Sequence, residues 1–179
     1  RAASGWRTEG QTALWVACEN GHVDTVRLLL DNGAEVDRAA SGWRRRMKGH
    51  TPLYVACQQG HVDAARLLLD KGADLKRRTK GGRDALGAAA QMGRAGCLSL
   101  LVDKGAKIDA RDGKGATPLY MAAQDGHDEV VSKLIDLGAD VDLRYDEGTS
   151  PLWIASAAGH DLAVEALIEA KADVSLADN

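Results

Sequence analysis

The 179-residue chain has no phenylalanine and no long uninterrupted run of apolar residues, and it contains only three prolines and three cysteines. The missing apolar run excludes a transmembrane helix, which needs about 18 consecutive apolar residues. The cysteines show no CxxC spacing, so a disulfide framework is not indicated and a reducing compartment is expected. Ala and Leu dominate instead of phenylalanine, which suits thin helices packed in close layers.

What the chain has is an internal repeat. A pattern of two short helices begins at Thr12, Thr51, Asp84, Thr117 and Ser150, at intervals of 39, 33, 33 and 33 residues. A fixed period near 33 residues is typical of a stacked solenoid. Neither helix is long enough to be stable alone in water, so the stability must come from stacking of neighbouring units.

Each unit carries signals that start and stop its helices. Thr, Ser or Asp precedes the first helix as a cap, and in three units Pro follows at the first helical position. Apolar residues then fall at helical spacing. The first helix ends at a glycine in every unit, at Gly21, Gly60, Gly93, Gly126 and Gly159.

Five motifs recur in register: Thr-Pro-Leu, an alanine pair, Gly-His, a leucine triplet and Gly-Ala. Residues 51–61 and 117–127, for example, both begin with Thr-Pro-Leu and end with Gly-His. In these motifs essentially the whole chain resembles the ankyrin repeat family. The resemblance implies an all-α solenoid of stacked helix-turn-helix units with protruding inter-repeat loops. It also implies protein partners that meet the loop tips and the exposed face of the first helices. The family's usual His after Thr-Pro-Leu is replaced here by Trp15, Tyr54, Gly87, Tyr120 and Trp153.

We predict a single array over residues 1–179, with boundaries that follow the repeat. They give a tail of a preceding repeat at 1–6, repeats at 7–45, 46–78, 79–111, 112–144 and 145–177, and the start of a further repeat at 178–179. The first interval is longer because its inter-repeat loop has six more residues than the others. Residues 38–44 of this loop are identical to residues 1–7, which we therefore interpret as the tail of a preceding repeat with a similar loop. We interpret both ends as partial repeats and expect a longer array in the intact protein.

The third unit is the least regular. Gly87 and Gly96 would together cost about 2 kcal/mol relative to alanine if both lie in helix interiors. Two interpretations are open: a local hinge between the two halves of the array, or drift that the array tolerates.

Charge is divided unevenly between the two halves of the chain. Residues 1–83 hold 15 Lys and Arg against 9 Asp and Glu, whereas residues 84–179 hold 8 against 17. Equivalent loops stack in a solenoid, so the positive loops should form one basic ridge. Its members, with one tryptophan, are Trp43, Arg44, Arg45, Arg46, Lys48, Arg77, Arg78, Lys80 and Arg83.

Three interpretations of the ridge compete. An acidic or phosphorylated peptide could lie along it, held by charge-assisted hydrogen bonds. Nucleic acid is the less favoured partner, because no base-reading motif is present and the whole chain carries a net charge of −3. The third interpretation is an ordinary solvated loop surface.

Helical geometry independently predicts a binding face on the first helices, because residues four apart share one stripe. The residue before each glycine also differs between units, as expected where stacking does not dictate it. The candidate partner-binding residues are Trp15, Glu19, Asn20, Tyr54, Gln58, Gln59, Gln91, Met92, Tyr120, Gln124, Asp125 and Trp153. Two interpretations of the aromatic column are open: anchors offered to a partner, or rings packed between adjacent units.

No catalytic signature is present: the sequence lacks a G-x-x-x-x-G-K-[ST] loop, a G-x-S-x-G elbow and an H-E-x-x-H motif. Four of the five histidines occupy one repeat position, His22, His61, His127 and His160, so a structural role accounts for them. Neighbours in such a column lie on the order of 10 Å apart, too far to share a metal. We therefore expect no enzyme, no metal and no cofactor.

The sequence thus predicts a scaffold that binds a protein or peptide through a concave helix face and the loop tips. One alternative is a structural spacer in a longer repeat protein or a large assembly. The other is electrostatic binding of an anionic partner through the basic loops. With no signal segment visible, we expect an intracellular, cytoplasmic location, and a fragment that is monomeric.

Overall fold

The computed structural model describes residues 10–41, 49–146 and 148–175. Within these residues the chain forms ten α-helices and no strand, which confirms the predicted all-α repeat solenoid. Consecutive helices pair into five units, numbered 1 to 5 from the first pair. The helices are α1 Ala13–Glu19, α2 Val23–Asp31, α3 Pro52–Gln59, α4 Val62–Asp70, α5 Ala85–Gln91, α6 Ala95–Asp103, α7 Pro118–Asp125, α8 Asp128–Asp136, α9 Pro151–Ala158 and α10 Asp161–Glu169.

The first helix of every unit begins at its predicted cap. Thr51 Oγ1 accepts a hydrogen bond from the backbone N–H of Tyr54 at 3.1 Å, and the caps of units 1, 4 and 5 do the same. In unit 3 the Asp84 carboxylate accepts from Gly87 N–H at 3.0 Å, so replacing the hydroxyl keeps the helix start. Burial raises the pKa of Asp84, and its hydrogen bond from Gly87 opposes that shift.

The core is a series of layers in which neighbouring first helices contact each other, as do neighbouring second helices. Alanines at the middle of the first helices are fully buried and allow this close approach: Ala56, Ala89 and Ala122. Leucines of the second helices, such as Leu68 and Leu134, fill the space behind them. Burying each such leucine contributes about 1.5–3 kcal/mol, which explains how short helices become stable.

A column of polar contacts links each unit to the one before it. His61 Nε2 lies 3.0 Å from the carbonyl oxygen of Glu19, and His127 and His160 make the same contact at 2.8 and 3.1 Å with the preceding units. The carbonyls lie in the last turn of a first helix, where they lack an intrahelical partner. We call this column the His–carbonyl link.

Unit 3 keeps the link although it lacks the histidine. Arg94 stands at the histidine position, and its Nε donates to the carbonyl oxygen of Gln58 at 3.2 Å. Both irregular residues at the start of the helices of this unit, Asp84 and Arg94, therefore preserve the contacts of the residues they replace.

In units 1 to 4 the glycine that ends the first helix combines two demands, as Gly126 shows. Its backbone is left-handed, with φ +70°, and a Cβ at this place would lie 2.5 Å from the ring of His160. Gly138, which ends the second helix of the same unit, has φ +87° with nothing within 4 Å of such a Cβ. Only the first glycine is therefore required by packing as well as by backbone conformation.

This difference predicts the outcome of two alanine substitutions. Gly138→Ala should lower the free energy of unfolding by about 1–2 kcal/mol, the cost of a left-handed alanine. Gly126→Ala should lower it further, because its Cβ must displace the His160 ring. Urea unfolding followed by circular dichroism measures both. In a His160→Ala background the two glycine substitutions should cost the same, and a persistent difference would contradict the packing explanation.

Candidate partner-binding surface

The aromatic residues of units 1 and 2 pack between units instead of pointing into solvent. Trp15 is 1% exposed, and its indole N–H donates to the carbonyl oxygen of His50, in the loop before unit 2, at 3.0 Å. Tyr54 is 5% exposed, with its ring centroid 4.2 Å from that of His50. Burial raises the pKa of Tyr54, and Arg83, from the loop before unit 3, opposes that shift. Burial, and secondarily the positive charge of Arg83, lowers the pKa of His50.

Tyr120 of unit 4 is buried in the same way, at 6% exposed. Its ring stacks on Tyr145 with centroids 5.2 Å apart, and its hydroxyl lies 3.2 Å from Thr149 Oγ1. Trp153 of unit 5 is half-buried. For Trp15, Tyr54 and Tyr120 the structure thus shows packing between units, the second of the two interpretations, and their contribution to binding stays an untested prediction.

The remaining candidates on the first helices do reach solvent. Glu19, Gln58 and Gln91 are half-buried and Gln124 is exposed, so these side chains lie at the rim of the packed layer. The residue that follows, immediately before the glycine, is exposed in all five units: Asn20, Gln59, Met92, Asp125 and Ala158. We call the surface formed by these nine residues the first-helix face.

Arg83 belongs to the predicted basic ridge, but its side chain holds units together. The guanidinium donates to Gln91 Oε1 and contacts Asp112 Oδ2 at 3.3 Å. Asp112 is in the loop before unit 4, and its side chain is only 7% exposed. A Cβ on Gly87 would lie 3.0 Å from Arg83 Cγ, so the arginine stem lies over the place where the other units carry an aromatic ring.

The Arg83–Asp112 pair lies in a groove of about 530 Å³ between the loops and the first helices of units 3 to 5. Tyr120, Gln124, Tyr145 and Trp153 also line it, so it presents hydrogen-bonding groups beside aromatic rings. The groove adjoins the first-helix face through Gln124. Sequence reasoning missed it; the one available signal was Gly87, which leaves unit 3 without the aromatic ring of the other units.

The loops before units 3 and 4 lie side by side. Gly113 N–H donates to the carbonyl oxygen of Gly81 at 2.8 Å, across adjacent loops. Arg78 donates to the carbonyl oxygen of Arg111 at 2.7 Å, so this predicted ridge residue is also structural. The side chains of Arg77 and Lys80 are exposed and have no partner among the described residues. The other ridge candidates lie outside the described residues: Trp43, Arg44, Arg45, Arg46 and Lys48.

In the part of the chain that the structure describes, no side chains are arranged as a metal site and no thiol is exposed. No group of three His, Cys, Asp or Glu side chains there could hold a metal ion. Cys18, Cys57 and Cys97 are free thiols with no solvent exposure, in agreement with small buried packing residues. Burial raises the pKa of the Cys18 thiol to about 12. No helix among the described residues is long and apolar enough to cross a membrane.

Comparison with protein families decides the identity of the repeat. The model for ankyrin repeats in three copies matches residues 39–112 and 109–178, and the model for a single ankyrin repeat matches residues 9–41. The chain belongs to the ankyrin repeat family. A comparison with curated protein sequences finds no match. Ankyrin repeats are generally protein–protein interaction modules and are typically not enzymes.

The packing of Tyr120 predicts graded losses of stability. Tyr120→Phe should lower the free energy of unfolding by about 1 kcal/mol, because the buried Thr149 hydroxyl loses its partner. Tyr120→Ala should lower it by about 3–5 kcal/mol. The exposed neighbour Gln124→Ala serves as the control and should stay within about 0.5 kcal/mol of the parent in urea unfolding. A Tyr120→Ala variant as stable as Gln124→Ala would mean that the ring is not packed.

The buried thiols predict slow chemical labelling. Because the thiolate is the reactive form and needs access, an aromatic disulfide reagent at mildly alkaline pH should label none of the three cysteines while the protein is folded. All three should react after denaturation in guanidinium. Mass spectrometry counts the labels, and rapid modification of any thiol in the folded protein would contradict the burial of that residue.

Proposed function

We propose that this ankyrin repeat chain is a non-enzymatic scaffold that binds a protein or peptide through the first-helix face and the adjoining loop tips. One observation carries the proposal. The residue before each glycine is exposed in all five units and is different in each: Asn20, Gln59, Met92, Asp125 and Ala158. Packing does not require these side chains, so they are free to match a partner.

The frame behind these residues favours binding, because it presents them in fixed positions. The carbonyls of Glu19, Gln58, Gln91 and Gln124 each accept the His–carbonyl link from the next unit. Four of the five variable residues, all except Ala158, directly follow one of these carbonyls in the chain. A partner would therefore meet a pre-ordered surface, and little conformational entropy would be lost when it binds.

The chemistry of the face favours hydrogen bonding to a polypeptide. Gln58, Gln59 and Gln124 carry amides that both donate and accept, and Met92 adds an adaptable apolar contact that is 37% exposed. The aromatic rings beneath contribute to the shape of the frame instead of serving as the main contact, because Trp15, Tyr54 and Tyr120 are at most 6% exposed.

Affinity capture from cell extract tests the proposal. The parent chain serves as bait beside a face variant that carries Gln58→Ala, Gln59→Ala, Gln124→Ala and Asp125→Ala. These positions are solvent-accessible, so the variant should keep its helical circular dichroism. A matched control carries the same number of alanines on the second helices, at the exposed Asp63, Arg66, Glu129 and Ser132.

We expect a protein that the parent and the control retain, and that the face variant recovers at least about tenfold less, the loss that about 1.4 kcal/mol produces. A partner retained equally by all three baits would remove the first-helix face from the proposal. If no bait retains a specific protein, the spacer role becomes the better account.

A further inference from the structure

The loops that join units 2 to 5 form one continuous edge. The 2–3 loop (73–83), the 3–4 loop (106–116) and the 4–5 loop (139–149, of which Glu147 lies outside the described residues) lie side by side, and we call them together the loop edge. Gly113 N–H donates to Gly81 at 2.8 Å between the first two, and Asp146 N–H donates to Lys114 at 3.3 Å between the last two. A ligand that lies along the edge would therefore meet the charges of successive loops.

The sign of the charge reverses along this edge. The 2–3 loop has five Lys and Arg against one Asp, the 3–4 loop has three against two, and the 4–5 loop has one against four Asp and Glu. The formal charges are thus +4, +1 and −3 in the order of the units. A ligand that lies along the edge meets a positive end and a negative end.

The positive end keeps unpaired charge at its surface. Arg83 is paired with Asp112, and Arg78 donates to backbone carbonyls, so both are engaged. Arg77 and Lys80 are exposed and have no ion-pair partner among the described residues, and Lys107 and Arg111 in the next loop are exposed as well. These four cations are available to a ligand.

We propose that the loop edge binds an acidic segment of a partner polypeptide across the 2–3 and 3–4 loops. This inference rests on the proposed scaffold function, and it specifies the charge of the segment that the loop tips bind. Neighbouring units lie on the order of 10 Å apart, and an extended chain advances about 3.3 Å per residue, so each loop meets about three residues. The acidic segment is then about six residues long, and it ends or turns basic before the 4–5 loop.

The reversal of sign favours a polypeptide over nucleic acid. Every nucleotide carries a negative charge, so a strand long enough to cover the three loops would meet the carboxylates of Asp140, Asp142 and Asp146. A polypeptide can change sign within one segment and match both ends of the edge.

Fluorescence anisotropy at low salt tests the proposal with labelled peptides and the chain as it stands. One probe has about six glutamates followed by about three lysines, and a second has about nine glutamates, lengths set by the loop spacing. The loop variant is Arg77→Glu with Lys80→Glu. The matched control, Arg27→Glu with Arg66→Glu, makes the same change of charge at exposed positions of α2 and α4.

We expect the mixed peptide to bind more tightly than the all-glutamate peptide, since only the first matches both ends. Its affinity should fall at least about tenfold in the loop variant, change less than about twofold in the control, and decline with added salt. An absence of binding, or an equal loss in both variants, would overturn the proposal.

A single-stranded thymidine oligonucleotide of matching length is the remaining arm. Tighter binding of the oligonucleotide than of the mixed peptide would assign the edge to nucleic acid and overturn the polypeptide. These outcomes are separate from the capture experiment, because a partner held by the first-helix face depends on Gln58 and Gln124 and not on Arg77 and Lys80.

Discussion

The structure depends on the His–carbonyl link that fastens each unit to the one before it. The linking side chain begins a second helix, and the carbonyl it meets ends the first helix of the preceding unit, where the helix itself supplies no donor. His61, His127 and His160 make this contact, and Arg94 makes it in unit 3. The position two residues after that carbonyl requires glycine, because the linking side chain occupies the space that a Cβ would fill.

The type of amino acid is therefore restricted at positions that face the next unit and unrestricted at positions that do not face it. Ala56, Ala89 and Ala122 recur because neighbouring helices approach closely there. Gln59, Met92 and Asp125 occupy one position and share no chemistry, since only solvent lies beyond them. The division between frame and binding surface in this protein follows from that geometry: the same stacking that buries one side of a helix fixes the position of the other.

Helix starts, helix ends and the stacked order of the units were predictable, since caps, glycines and apolar spacing act within a few residues of the chain. The role of the aromatic column was not. A ring at Trp15 or Tyr120 can point to solvent or to the next loop, and the choice depends on contacts such as Trp15 with His50, 35 residues away. Arg78 and Arg83 likewise read as surface charge, yet carbonyls and carboxylates from the adjacent loop engage them.

The sequence by itself determined the all-α repeat architecture, because short-range signals repeated in five units agree with one another. It also determined the uneven charge of the loops, which is a property of composition. Only the tertiary structure decided which aromatic rings are buried, which cations remain free at the loop edge and where the groove beside Arg83 lies. Those features arise between units, from side chains that meet only after stacking, so no pattern within one unit contains them.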